Sequence, residues 1–126
     1  MSDRRLELSA WALLVAQVVH GLTPSHTDAE GYVGPVGGLV LLVATMTAIA
    51  GLRGHRPWAR ALTAWTGLAV AVGFTLYHAT PFTSPVTNPY VGEQPGLAAW
   101  ITVILSIALG LWTAREARRG SAYPSP

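Results

Sequence analysis

The chain has 126 residues, of which 51% are hydrophobic and 11% are charged. A soluble domain of this length needs a more polar surface, so the composition predicts an integral membrane protein. The net charge is +2, and the basic residues form no stripe interleaved with aromatic side chains, which argues against a nucleic-acid partner. The chain contains no cysteine, which excludes disulfides, thiolate metal ligands and cysteine nucleophiles.

Four apolar segments follow one another along the chain and predict four transmembrane helices. At 1.5 Å per residue, each segment covers about 25 to 30 Å, which is one hydrocarbon core. We expect a single four-helix domain over residues 1–119, followed by a small, polar and disordered tail over residues 120–126. The predicted helices cover residues 6–22, 36–52, 58–77 and 97–114.

All eight basic residues are arginines, and they occur in three clusters at the ends of the apolar segments. If both termini are cytoplasmic, every cluster lies on the inner side of the membrane, which is the positive-inside pattern. The abundance of Ala, Val, Leu, Gly and Arg, without Lys, is typical of a high-GC bacterial genome. These features predict a multi-pass protein of the bacterial plasma membrane. The clusters are Arg4 and Arg5; Arg53, Arg56 and Arg60; and Arg115, Arg118 and Arg119.

An internal repeat relates the two halves of the chain. A shift of 58 residues aligns His20 with His78, Tyr32-Val33-Gly34 with Tyr90-Val91-Gly92, and Gly38-Leu39 with Gly96-Leu97. A duplication predicts two helical hairpins of the same orientation, related by a pseudo-twofold axis along the membrane normal. The alternative is that any helical hairpin at an outer interface selects Gly, Pro and Tyr.

The repeat places two histidines at equal depth near the outer edge of the membrane. An ionisable side chain at this depth usually faces the bundle interior or a wet cavity. Gln17 and Thr75 each lie three residues before a histidine, on the same helix face. We therefore predict an outward-facing polar pocket below the two long outer connections; the alternative is that each histidine caps its own helix end. The predicted binding residues are Gln17, His20, Tyr32, Thr75, His78 and Tyr90.

Three kinds of ligand fit this predicted pocket. His20 and His78 have the chemistry of the two axial ligands of a b-type haem. A zinc or copper ion would use imidazole and carboxylate ligands, and the predicted set is His20, His26 and His78 with Glu30 or Asp28. The third alternative is a lipid or a small polar molecule bound without a metal.

Catalytic motifs are not recognisable in the sequence, and no catalytic residue is predicted. There is no phosphate-binding glycine loop and no paired carboxylate set within the helices. We therefore expect a non-enzymatic binding or accessory protein, with a haem or metal redox subunit as the alternative. The bilayer is its predicted partner, and four helices would line a conduction path only with a second copy or a partner membrane subunit.

A row of small residues on the fourth helix predicts a close helix–helix contact. Its members recur every four residues and allow another helix to approach closely. They are Ala98, Thr102, Ser106 and Gly110.

Overall fold

The computed structural model describes residues 2–24, 33–81 and 87–119, and the fold is all-helical as predicted. The first and last helices extend by four and five residues past their apolar segments at the arginine-containing ends, because Arg and Glu are good helix formers that continue a helix beyond its apolar part. The predicted tail over residues 120–126 lies outside the described residues. The four helices are α1 (Ser2–Leu22), α2 (Val33–Arg53), α3 (Ala59–His78) and α4 (Leu97–Arg119).

Three of the four helices, α2, α3 and α4, are long and apolar enough to cross a membrane. Their outer surfaces carry large apolar side chains, such as Leu39, Leu76 and Leu97, that are more than half exposed. Such a surface is unsuited to water and suits contact with lipid tails. Helix α1 carries more polar residues, including Glu7, Gln17 and His20. The composition of the other three helices indicates a membrane protein.

The helices form a ring in chain order, and α4 closes the ring against α1. The most extensive interface is between α3 and α4. Helices α1 and α3 lie on one diagonal of the bundle and touch, whereas the described residues of α2 and α4 make no contact across the other diagonal. The last turns of α1 and α3 therefore come together near the bundle axis.

The three arginine clusters lie at one end of the bundle, called the arginine end below. Arg53 at the end of α2 forms an ion pair with Glu7 near the start of α1, with Nε and Oε1 3.5 Å apart. Arg60 at the start of α3 donates from Nη1 to the Ala117 carbonyl near the end of α4, at 3.2 Å. The opposite end, called the histidine end, holds the ends of α1 and α3 and the starts of α2 and α4.

Two glycines allow the backbones of α3 and α4 to touch. A Cβ atom on Gly67 would lie 2.6 Å from the Gly110 carbonyl oxygen, and a Cβ atom on Gly110 would lie 2.6 Å from the Gly67 carbonyl oxygen. The contact is reciprocal and involves backbone atoms on both helices, which cannot swing aside as a flexible side chain can. Glycine is therefore required at both positions for this approach.

The small-residue row of α4 is buried from Thr102 to Gly110, as expected for a packing seam. The seam differs from the prediction at its outer end, where Ala98 is exposed and Ala99 is buried. In a helix of 3.6 residues per turn, two residues that are four positions apart differ by about 40° in direction around the helix axis. Over three steps, Ala98 thereby rotates out of the interface.

Candidate functional site

His20 and His78 are in contact at the histidine end. Their ring centroids are 5.0 Å apart, and the ring planes meet at 68°. His20 is in the last turn of α1 and is half-buried, whereas His78 is the last residue of α3 and is buried. The structure thus brings together two side chains that are 58 positions apart in the sequence.

The Nδ1 atoms of both rings are engaged outside their own helices. His78 Nδ1 lies 3.0 Å from the Asn88 carbonyl oxygen, which can only accept, so Nδ1 carries the proton. His20 Nδ1 lies 2.9 Å from the Thr102 hydroxyl, and this hydroxyl donates its own proton to the Ala99 carbonyl. The Thr102 oxygen therefore accepts from His20 Nδ1. In the neutral form, each ring then presents a free lone pair on Nε2.

This arrangement shares one feature with histidines that bind metals. A ligating histidine usually donates its other ring N–H to a carboxylate, a backbone carbonyl or water, which fixes the tautomer and the orientation of the ring. His78 has such a partner in the Asn88 carbonyl, and the Thr102 hydroxyl takes the same place for His20. Neither bond joins the histidine ring to a carbonyl at the end of its own helix, which is the capping alternative considered from the sequence. The bonds leave two oriented Nε2 atoms for a ligand.

Aromatic side chains surround the histidine pair. The Phe74 ring lies 4.8 Å from the His20 ring, and the Tyr90 ring lies 4.2 Å from the His78 ring, centroid to centroid. Trp100 packs edge-on against Tyr90, with centroids 5.5 Å apart. Tight packing in this cluster restricts the rotation of both imidazoles. Phe74 is four residues before His78, a spacing that places both side chains on one helix face. This spacing is the sequence signal that could have identified Phe74 as a neighbour of His78.

Residues 87–96 of the α3–α4 connection cover the end of α3. The Asn88 N–H donates to the Tyr77 carbonyl at 2.9 Å, and the Tyr90 N–H donates to the His78 carbonyl at 2.8 Å. These bonds satisfy two carbonyls that the end of a helix leaves without partners. The same segment supplies the Asn88 carbonyl that orients the His78 ring. The connection thus caps α3 and positions His78.

Gln17 lies one turn before His20, at the interface with α2. Its Nε2 donates to the Thr45 hydroxyl oxygen at 2.8 Å, and the side chain is 7% exposed. Its Oε1 is buried and has no hydrogen-bond partner in the structure. A buried acceptor without a partner is costly, and it is an available contact for a donor group that enters this end of the bundle.

The remaining predicted binding residues fall into two groups. Thr75 is exposed, and its hydroxyl donates to the Ala71 carbonyl of its own helix at 2.7 Å, so the structure does not bring it to the histidines. The other group lies outside the described residues and comprises His26, Asp28, Glu30 and Tyr32.

Distances between the rings distinguish the metal sites predicted from the sequence. With metal–nitrogen bonds of about 2.0 Å, two imidazoles on a tetrahedral ion have centroids about 5 Å apart, whereas two axial ligands on opposite sides of a haem iron have centroids about 6 Å apart. The observed 5.0 Å is closer to the tetrahedral value than to the axial one, and it also falls within the usual range for an edge-on contact between two rings. Moreover, a haem between the rings would have to separate side chains that are now in contact. Within the described ranges, no three His, Cys, Asp or Glu residues are grouped as metal ligands.

Comparisons of the chain with protein-family models, with curated proteins and with solved structures found no match. The class that the fold defines is a helical bundle with three helices suited to a membrane. Function is therefore inferred from the chemistry of the histidine pair.

Proposed function

We propose that the chain is a four-span protein of the plasma membrane, with both termini in the cytoplasm. The basis is the collection of the three arginine clusters at one end of the bundle, which matches the positive-inside pattern. Helix α1 starts at the arginine end and its last turn reaches the histidine end, where His20 contacts α3. It therefore runs the same length of the bundle as the three more apolar helices, and we infer that it crosses with them.

We also propose that the bundle arose from two hairpins, α1–α2 and α3–α4, related by an axis along the membrane normal. Such a relation puts α1 and α3 on one diagonal, and the contact between His20 and His78 on that diagonal supports it. The environments of Gln17 and Thr75 have diverged, since Gln17 is buried and Thr75 is exposed.

The natural absence of cysteine makes the topology directly testable with single-cysteine variants. In intact cells, we expect a membrane-impermeant maleimide to label Glu93→Cys, whereas Ser2→Cys and Gly54→Cys should react after permeabilisation. Labelling of Ser2→Cys in intact cells, with Gly54→Cys protected, would show that α1 does not cross. Labelling of Gly54→Cys with Glu93→Cys protected would reverse the proposed orientation.

We propose that the protein's function is ligand binding at the outer, histidine end, without catalysis. The site is built on His20 and His78, and a zinc or copper ion is the ligand that its geometry favours over haem. The observation that carries this proposal is the contact of the two rings at 5.0 Å with both Nδ1 atoms engaged elsewhere. Two imidazoles leave positions for further ligands, for which the sequence predicts His26 and Glu30.

The test measures metal binding by the purified protein in detergent, with zinc and copper added separately and free metal removed. We expect the wild-type protein to retain close to one equivalent of one of these metals. His20→Asn and His78→Asn should weaken that binding at least about a hundredfold, because they remove a metal ligand. The Asn amide nitrogen sits near the position of Nδ1, so the hydrogen bonds to Thr102 and Asn88 can persist. His55→Asn is the matched control, since His55 is in the α2–α3 turn with φ 51°, a conformation that Asn tolerates.

Three results would contradict the proposed site. Equal metal binding by His78→Asn and by wild type would exclude the histidine pair as the ligand set. Retention of neither metal by the wild-type protein would leave the pair as a packing feature. A Soret band after haem-replete expression, lost in His20→Asn, would favour the haem alternative instead.

A further inference from the structure

An open groove lies between α3 and α4 at the arginine end. It has a volume of about 390 Å³. Its floor is apolar, and its mouth carries three arginine side chains from the last turns of α4. The lining residues are Leu68, Leu111, Ala114, Arg115, Arg118 and Arg119.

A second groove of about 200 Å³ continues along the same two helices toward the histidine end. Leu111 borders both grooves, so they adjoin along the outer surface of the bundle, and the two together are called the track below. Along α4, the track runs from Ile107 to Arg118, which is about 17 Å of helix. This is close to half of the hydrocarbon thickness, the depth of one acyl chain, about 15 Å. The second groove is lined by Ala71, Val72, Thr75, Leu76, Ile107 and Leu111.

The charges at the mouth are not all equivalent. Arg119 donates to Glu116 at 2.9 Å, so its charge is partly neutralised within α4. Arg115 and Arg118 are exposed, and the described part of the chain provides no carboxylate partner for either. They are three residues apart and project from one face of the helix. An apolar track thus ends at two adjacent cationic side chains.

We propose that this track binds one anionic phospholipid. The headgroup phosphate contacts Arg115 and Arg118, for which guanidinium groups are well suited. One acyl chain follows the track past Leu111 toward Ile107. A free phosphate would use the arginines but not the apolar floor, whereas a phospholipid uses both. The proposal rests on the membrane insertion proposed above and is independent of the histidine pair.

Native mass spectrometry of the full chain in detergent tests this proposal. We expect phosphatidylglycerol to form a one-to-one adduct that phosphatidylcholine does not form, and millimolar glycerol phosphate not to displace it. Arg115→Gln with Arg118→Gln should weaken the adduct about thirtyfold, given the usual contribution of an arginine to binding anionic lipid. The matched control is Arg4→Gln with Arg5→Gln, which removes the same charge from the same end of the bundle outside the track and should change binding less than threefold.

Each part of this experiment can contradict the proposed lipid site. Equal adducts with both lipids would exclude recognition of the anionic headgroup, and equal weakening by both double variants would show attraction to the arginine end as a whole. Displacement by glycerol phosphate would indicate a phosphate site without an acyl chain. None of these results depends on metal binding, so failure here is distinguishable from failure of the histidine site. If the topology labelling instead excluded membrane insertion, this proposal would fail with it.

Discussion

Gly67→Ala is expected to lower the free energy of unfolding by about 3 kcal/mol, as overpacking of a tight interface does. The added Cβ would meet the Gly110 carbonyl oxygen at 2.6 Å and the Ala114 backbone nitrogen at 2.9 Å. These atoms belong to the backbone of α4, so relief requires the two helices to separate along their largest interface. Gly110→Ala should have a similar effect from the opposite side. Unfolding of the purified protein in mixed detergent micelles measures both.

Gly38→Ala is the matched control for these two variants. A Cβ atom at Gly38, in α2, would meet nothing within 4 Å. The higher helix propensity of Ala should make this variant neutral or more stable by up to about 1 kcal/mol. If Gly67→Ala and Gly38→Ala had the same effect, helix propensity would explain both, and the backbone contact between α3 and α4 would not be a determinant of stability.

Tyr90→Ala is expected to lower the free energy of unfolding by about 3 kcal/mol, within the range for a large aromatic residue lost from a core. The ring is 3% exposed and packs between the His78 and Trp100 rings. Its removal leaves a cavity beside His78 and loosens the segment whose Asn88 carbonyl orients that ring. Because this segment orients His78 of the proposed ligand site, we also expect weaker metal binding than in the wild-type protein.

Val91→Ala provides the comparison for Tyr90→Ala. Val91 is the next residue and is 45% exposed, so its truncation should change stability by less than about 0.5 kcal/mol. Limited proteolysis should cut the α3–α4 connection faster in Tyr90→Ala than in Val91→Ala. Equal cleavage rates and equal stabilities would show that Tyr90 does not anchor the connection.

The helical fold was predictable because its main signal is local. Apolar segments of membrane-spanning length predict helices whatever their partners, and the structure has a helix over each of them. The positions of the helix ends were less accurate, since charged residues such as Arg5 and Arg118 continue a helix without contributing to the apolar pattern. The small-residue row was right from Thr102 to Gly110 and wrong at Ala98, because the fixed spacing did not follow the true helical period.

The candidate site was predictable in part. The predicted repeat suggested His20 and His78 as a pair, because a repeat relates equivalent positions without any knowledge of packing. Thr102 and Asn88 were missed as their partners, since those contacts depend on the order of helices in the ring and on the path of the connection. Thr75 shows a wrong inference from spacing. Its spacing from His78 matches that of Gln17 from His20, yet Gln17 is buried against Thr45 of α2, whereas Thr75 is exposed on the surface of α3.

The interface between the first and last helices can form only after nearly the whole chain has been synthesised. The Thr113 hydroxyl donates to the Ser9 carbonyl at 3.1 Å, across a sequence separation of 104 residues. During translation, α1 is therefore complete long before the helix that covers this face emerges from the ribosome. Thr102, which orients the His20 ring, is likewise synthesised long after His20. A nascent chain that ends before α4 lacks both contacts, so the proposed site at the histidine end can be completed only when the last helix has been made.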